Sequence, residues 1–208
     1  MHVLRYHREV PALEQQQRDK VWHELIAPTA PSRKVGVLGF GVLGQDCARV
    51  LHALKFDLAS WSRTPKQVDG VQSFHGADGL DPFLARTEIL VCLLPLTAET
   101  EGILNRDLFA KLPRGAALIN AGRGGHQVEA DILEALDNGQ LSGATLDVFR
   151  TEPLPTDSPF WTHPKVTLTP HIASVTQQVS AIEQVVANIR RVQSGEAPLN
   201  TVDRKLGY

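Results

Sequence analysis

The sequence has 208 residues, 42% of them hydrophobic and 21% charged, with a formal net charge of −2. That length suits one large domain with appendages, and the charge gives no electrostatic case for nucleic acid or an anionic membrane as partner. No apolar stretch approaches the roughly 20 residues that span a bilayer, and the opening MHVLRYHREVPALEQQQ lacks the continuous apolar core of a signal peptide.

Residues 1–26 read as helical and polar, and APTAPSRK (27–34) reads as a linker from its prolines and small residues. A regular pattern follows. Apolar runs of strand length stand at Val35–Phe40, Leu58–Trp61, Ile89–Leu94, Ala116–Ile119, Ala144–Val148 and Val166–Leu168. Four of the five gaps between them hold a helical segment, the longest being VEADILEALDNG with its Asn-Gly stop. The last gap, RTEPLPTDSPFWTHP, is proline-rich and reads as a loop. A long amphipathic helix over Ser174–Ser194 and a tail complete the chain. Alternating helices and continuous apolar strands predict an α/β fold, a doubly wound parallel sheet of the Rossmann kind with six strands. The two cysteines, Cys47 and Cys92, lie in apolar segments and read as free thiols in a reducing cytoplasm. The eight histidines form no H-E-x-x-H or related cluster, so no metal site is expected.

The first strand runs into GFGVLG, with Gly39, Gly41 and Gly44 spaced as G-x-G-x-x-G. At a strand-to-helix turn each glycine has its own use: a tight turn, close approach of backbone to a pyrophosphate, and packing of helix on sheet. The amides at the helix start then hold the anion. About 20 residues on, where NAD enzymes present an acid to the ribose, the chain reads SWSRTPK. Ser62, Arg63 and Lys66 there suit a 2′-phosphate and point to NADP(H) rather than NAD(H). Arg63 and Lys66 taken alone are equally well read as solvated loop charges; their place at the strand end favours the phosphate.

Three further segments end at strand termini: LINAGRGG with Arg123, LDVFRTEPLP with Asp147 and Glu152, and VTLTPHIAS with His171. Open α/β sheets bind ligands there. An arginine fork to hold a carboxylate, a histidine to deliver a proton and a carboxylate to favour its protonated form are what reduction of a 2-keto acid requires. Singly, each has a bland reading as a capping, surface or turn residue, and the convergence favours chemistry.

GFGVLG, LLPLTAETEGIL, LINAGRG, DVFRTEPLP and TPHIAS, in this order and spacing, resemble the D-2-hydroxyacid dehydrogenases. SWSRTPK and the closing VDRKLGY resemble their glyoxylate/hydroxypyruvate reductase branch. The resemblance implies Arg123, Glu152 and His171 as catalytic residues. It implies Val42, Leu43, Ser62, Arg63, Leu94, Pro95, Thr100, Ala121 and Asp147 as cofactor contacts. Gly122 departs from the alanine frequent in the family, and with Gly125 it implies a looser loop around Arg123. Family members resemble a two-domain design, which implies here an interdomain helical segment and linker (1–30), a nucleotide-binding domain (31–173) and a helix and tail on the side of a truncated substrate domain (174–208). The function implied is NADPH-dependent reduction of a small 2-keto acid; the other reading is a module that binds NADP(H) without turnover. A homodimer formed through the nucleotide-binding domain is expected from the family resemblance and from Phe160 and Trp161 in the proline-rich segment, unless both rings pack into the domain's own core.

Overall fold

The computed structural model describes residues 1–202, so all of VDRKLGY beyond its first residue lies outside the described residues. The chain opens with α1 (His2–His7) and α2 (Val10–Asp19). Residues 1–26 read from the sequence as helical. Instead Glu9 and Lys20 adopt left-handed backbone at φ 53° and 56°, and residues 21–29 are not helical. Pro11 is the physical cause of the first break, since its ring and missing N–H are tolerated only in a first helical turn.

The regular part then runs β1 (Lys34–Leu38), α3 (Val42–Ala53), β2 (Asp57–Ser62), β3 (Val71–His75), α4 (Gly76–Arg86), β4 (Ile89–Cys92), α5 (Arg106–Ala110), β5 (Ala116–Asn120), α6 (Glu129–Asp137), β6 (Leu141–Leu146), β7 (Val166–Leu168) and α7 (Gln178–Gln193). The sheet has seven strands in the order β3-β2-β1-β4-β5-β6-β7, and every pairing is parallel. Six of these match the apolar runs in the sequence. The seventh, β3, was missed because VQSFH is an edge strand with partly exposed residues throughout, so it lacks the continuous apolar run of the central strands. Residues of β4 and β5 are buried without exception, as strands covered on both faces must be.

The direction of winding reverses at β1, which lies between β2 and β4. The crevice at the carboxyl ends of β1 and β4 is therefore the topological switch point, where open α/β sheets take ligands. α1 packs onto this body. Val3 and Tyr6 are buried in the core with Val35, Val37 and Ile119. The Tyr6 hydroxyl lies 2.9 Å from Thr145 Oγ1, and a side chain at Gly143 would stand 2.9 Å from the Tyr6 ring. α7 differs: Val179 is 76% exposed, and Ile182, Val185 and Ile189 are also exposed. Among the described residues no helix is long and apolar enough to cross a membrane.

The two aromatic anchors expected at an interface part company. Phe160 is buried in the domain's own core beside Phe149, whereas Trp161 stays 54% exposed with its indole N–H donating to the Pro155 carbonyl. Both rings leave a short 3-10 helix over Pro159–Trp161 that has Pro159 in its first turn.

Candidate active site

The three fingerprint glycines have distinct surroundings. Gly39 holds φ at +102°, and a Cβ there would lie 2.6 Å from the Leu94 amide nitrogen, where the ends of β1 and β4 meet. A Cβ on Gly44 would stand 2.2 Å from the Gly39 carbonyl oxygen, so α3 seats directly on the turn. Gly41 caps α3, and a Cβ there meets nothing within 4 Å. The first helical bond is donated by Gln45 to the Gly41 carbonyl, so the amides of Val42, Leu43 and Gly44 precede the ladder and remain for an anion. An open face over a capping glycine, at a helix start, is the cradle a pyrophosphate needs; the residues present fit a dinucleotide.

At the end of β2, the Ser62 hydroxyl donates to the Thr64 carbonyl, 2.8 Å, and Arg63 and Lys66 lie exposed. Past β4, Leu94 is buried, and the Thr100 hydroxyl donates to the Pro95 carbonyl at 2.7 Å while accepting from the Thr97 amide at 2.8 Å. This closes the 95–100 loop on itself. Ala121, past β5, donates its amide to the Cys92 carbonyl.

The loop carrying Arg123 is more constrained than its glycines suggested. Buried Asn120 accepts from the Gly122 amide at 3.1 Å and donates to the Arg123 carbonyl at 3.2 Å. The Arg123 amide donates to His126 Nδ1 at 3.1 Å. A Cβ at Gly124 would fall 1.9 Å from the Phe149 carbonyl carbon, and one at Gly125 would meet the Leu96 side chain at 2.8 Å. These glycines permit close contact of backbone with its neighbours, and the expected looseness is replaced by packing. The Arg123 guanidinium itself is exposed, with Nη1 donating to the Gly122 carbonyl.

Past β6, Asp147 is buried and fully occupied. Its carboxylate accepts from the Thr169 hydroxyl and from the amides of Ile172 and Ala173, and its carbonyl accepts from the His171 amide at 2.8 Å. Asp147 thus shapes the loop that holds His171 in left-handed backbone at φ 54°. His171 Nδ1 lies 2.8 Å from Glu152 Oε2, and Glu152 Oε1 accepts from the Phe149 amide at 2.9 Å. Burial pushes the Glu152 carboxyl up, but the hydrogen bonds from His171 and Phe149 and the charge of His171 outweigh it and leave it below its ordinary value. The carboxylate form therefore persists through neutral pH and is lost as pH falls through that lowered value. The structure brings Glu152 and His171 into contact, and places the Arg123 loop against Phe149 through Gly124.

Residues 1–173 match the family described as D-isomer specific 2-hydroxyacid dehydrogenase, NAD binding domain. The chain belongs to that family. Among curated D-2-hydroxyacid dehydrogenase relatives, glyoxylate/hydroxypyruvate reductase A of Serratia proteamaculans is 50% identical over 207 residues, which is 100% of this chain and 66% of the relative. The chain spans about two thirds of the length of the curated relatives it matches. A D-isomer specific 2-hydroxyacid dehydrogenase of Xanthobacter autotrophicus, solved with NADPH and MES, superposes with a TM-score of 0.96 at 48% identity, over 99% of this chain and 85% of the other. An NADPH-dependent glyoxylate/hydroxypyruvate reductase of Sinorhizobium meliloti, solved with NADP and sulfate, gives 0.96 at 46% identity, over 100% and 67%.

Sequence reasoning passed over two residues of this site in the family fold. His126 and Gln127 are both completely buried; the Gln127 side-chain amide donates to the Val148 carbonyl, and the Gln127 backbone carbonyl accepts from Arg150 Nε. The available signal was their position, three and four residues after the arginine of a strand-end loop and ahead of a helix.

Proposed function

We propose that this chain carries the cofactor site and the catalytic groups of an NADPH-dependent reductase of small 2-keto acids, of the glyoxylate or hydroxypyruvate kind. The observation that carries the reading is the His171–Glu152 pair at 2.8 Å, at the same sheet edge as the glycine cradle. The relatives described above, two of them solved with NADPH or NADP, support it.

Gly39, Gly41, Val42, Leu43 and Gly44 would hold the pyrophosphate, and Ser62, Arg63 and Lys66 the 2′-phosphate. Leu94, Pro95, Thr100 and Ala121 would border the nicotinamide half. Asp147 serves there through the loop it ties down as much as through its own surface. When bound, the nicotinamide supplies the hydride that the carbonyl carbon accepts. Arg123 holds the substrate carboxylate and polarises the carbonyl. With Nδ1 turned to Glu152, Nε2 of His171 is the nitrogen that gives a proton to the carbonyl oxygen, while the Glu152 carboxylate stabilises the imidazolium beforehand. The free thiols Cys47 and Cys92 favour a cytoplasmic setting.

Replacing Arg63 by alanine is expected to weaken NADPH binding by about 1–3 kcal/mol, as for loss of a charge-assisted contact, with NADH binding nearly unchanged. Fluorescence titration with both cofactors checks it, and equal losses would remove Arg63 from the phosphate site. The same protein assayed with glyoxylate and hydroxypyruvate tests the function: NADPH bound but not oxidised would favour the binding-module reading.

Residues 174–208 belong, in this proposal, to a second structural unit, and the protein is a homodimer. The exposed Trp161 and the bare apolar face of α7 support association, because large apolar patches rarely stay solvated. Light scattering at tens of micromolar is expected to show a dimer that Ile182→Asp with Ile189→Asp weakens. A monomer under those conditions would count against it.

A further inference from the structure

His126 is a completely buried histidine that the proposed chemistry does not use. Its position is defined on both ring nitrogens. Nδ1 receives the Arg123 amide at 3.1 Å, and Nε2 lies 3.2 Å from the Pro95 carbonyl oxygen. An acceptor at Nδ1 and a donor at Nε2 specify the neutral Nε2–H tautomer; no other form satisfies both contacts. The ring therefore bridges the loop past β4, which borders the proposed nicotinamide site, and the loop past β5, which carries Arg123. A Cβ on Gly122 would lie 3.0 Å from the ring's Cε1, so the intervening backbone is in contact with it as well.

We infer that His126 is a positioning residue, whose neutral ring clamps the Arg123 backbone to the Pro95 loop so that the guanidinium is set to grip a 2-keto acid carboxylate. The inference rests on the proposed role of Arg123. An imidazolium carries a proton on both nitrogens, so protonation removes the acceptor that the Arg123 amide needs and releases the clamp. Burial opposes that protonation; the Pro95 carbonyl favours it, the Arg123 charge opposes it, and the balance places His126 below its ordinary value. The titratable or charged groups facing the ring are Arg123 on its own loop and the Cys92 thiol on β4, 3.9 Å from Nδ1. Burial pushes that thiol up to about 12, so it stays neutral. Arg150, past β6, bonds the neighbouring Gln127 carbonyl. A buried histidine kept neutral stabilises the fold above its unfolded value of about 6.5, and that contribution is lost as pH falls below it.

The test compares the unsubstituted chain with H126N and H126Q. Asparagine places an acceptor oxygen where Nδ1 stands; glutamine places an N–H donor where Nε2 stands. NMR reads the His126 ring nitrogens and hydrogen exchange at the Arg123 amide, while NADP and oxamate, a non-reducible analogue of a 2-keto acid, are titrated across the acid limb. The Nε2–H tautomer is expected at neutral pH. The Arg123 amide is expected to be protected in the unsubstituted chain and in H126N, and to exchange about 10-fold faster in H126Q, the scale of one lost hydrogen bond. Oxamate affinity in the unsubstituted chain is expected to acquire a fall of about 10-fold per pH unit once the ring takes its proton, and H126N to lack that fall. An Nδ1–H tautomer, equal Arg123 exchange in all three proteins, or one oxamate pH curve shared by all three would overturn the clamp. If NADP binds, oxamate binds none of them and Arg123 exchange still follows the expected pattern, the clamp stands and the carboxylate role of Arg123 fails. The tautomer and the pH titration of the unsubstituted chain decide the matter even where a substituted chain does not fold.

Discussion

Replacement of His171 by alanine is expected to slow 2-keto acid reduction by ~10²–10⁴-fold, the scale of removing a general acid. In the proposed reaction the proton must reach the carbonyl oxygen as negative charge develops on it, and His171 stands 2.8 Å from the Glu152 carboxylate. Its loop is held in place: Asp147 takes three hydrogen bonds from Thr169, Ile172 and Ala173, and His171 itself has left-handed backbone. NADPH affinity is expected to stay within a few-fold, because alanine removes the ring and leaves the loop's backbone contacts to Asp147 in place. Glu152→Gln gives the complementary result. An amide keeps an oxygen for the ring's N–H but loses the charge that favours imidazolium. Reduction needs that form, and the pH optimum for reduction therefore moves downward. Rate profiles on this chain, or on a relative carrying the same pair, check both. An unshifted profile in Glu152→Gln would make Glu152 a structural residue of the Phe149 turn.

The second large effect is expected at the turn of the cradle. Gly44→Ala places a methyl 2.2 Å from the Gly39 carbonyl oxygen, which is backbone and has nowhere to swing. α3 must move off the turn, at a cost of about 3 kcal/mol, the upper end of ordinary overpacking. Because the displaced elements are the ones proposed to hold the pyrophosphate, NADPH affinity is expected to drop by about 100-fold as well. Gly41→Ala separates the two consequences. Its methyl meets no protein atom within 4 Å and its φ of −75° suits any residue, so stability should hold while cofactor affinity falls. Thermal unfolding beside a fluorescence titration reads both variants. A Gly41→Ala chain with full affinity would show that the cofactor does not approach that face.

Much of this architecture is written in local pattern. The buried strands β1, β4 and β5 are legible because strands covered on both faces must be apolar without interruption, and α6 because Asn138 and Gly139 end it. The placement of the fingerprint glycines, of Ser62–Lys66 and of Arg123, Glu152 and His171 past strand ends was readable for a related reason: topology obliges side chains at carboxyl ends of parallel strands to share one edge. β3 was not legible, because an edge strand satisfies its hydrogen bonds on one side and needs no apolar run to do so. Nor was the fate of Phe160 and Trp161, adjacent residues with the same local signal, since only the direction each ring takes from a short turn decides which is core. The Arg123 loop shows the difference most clearly. Glycine content alone describes how many conformations a chain can visit, and on that ground the loop reads as loose. What narrows those conformations is contact with residues distant in sequence: Phe149 against Gly124, Leu96 against Gly125, and Pro95 across the His126 ring. Local sequence sets the propensities of each segment, whereas the partners that satisfy a buried imidazole or close on a bare glycine exist only once the strands are side by side.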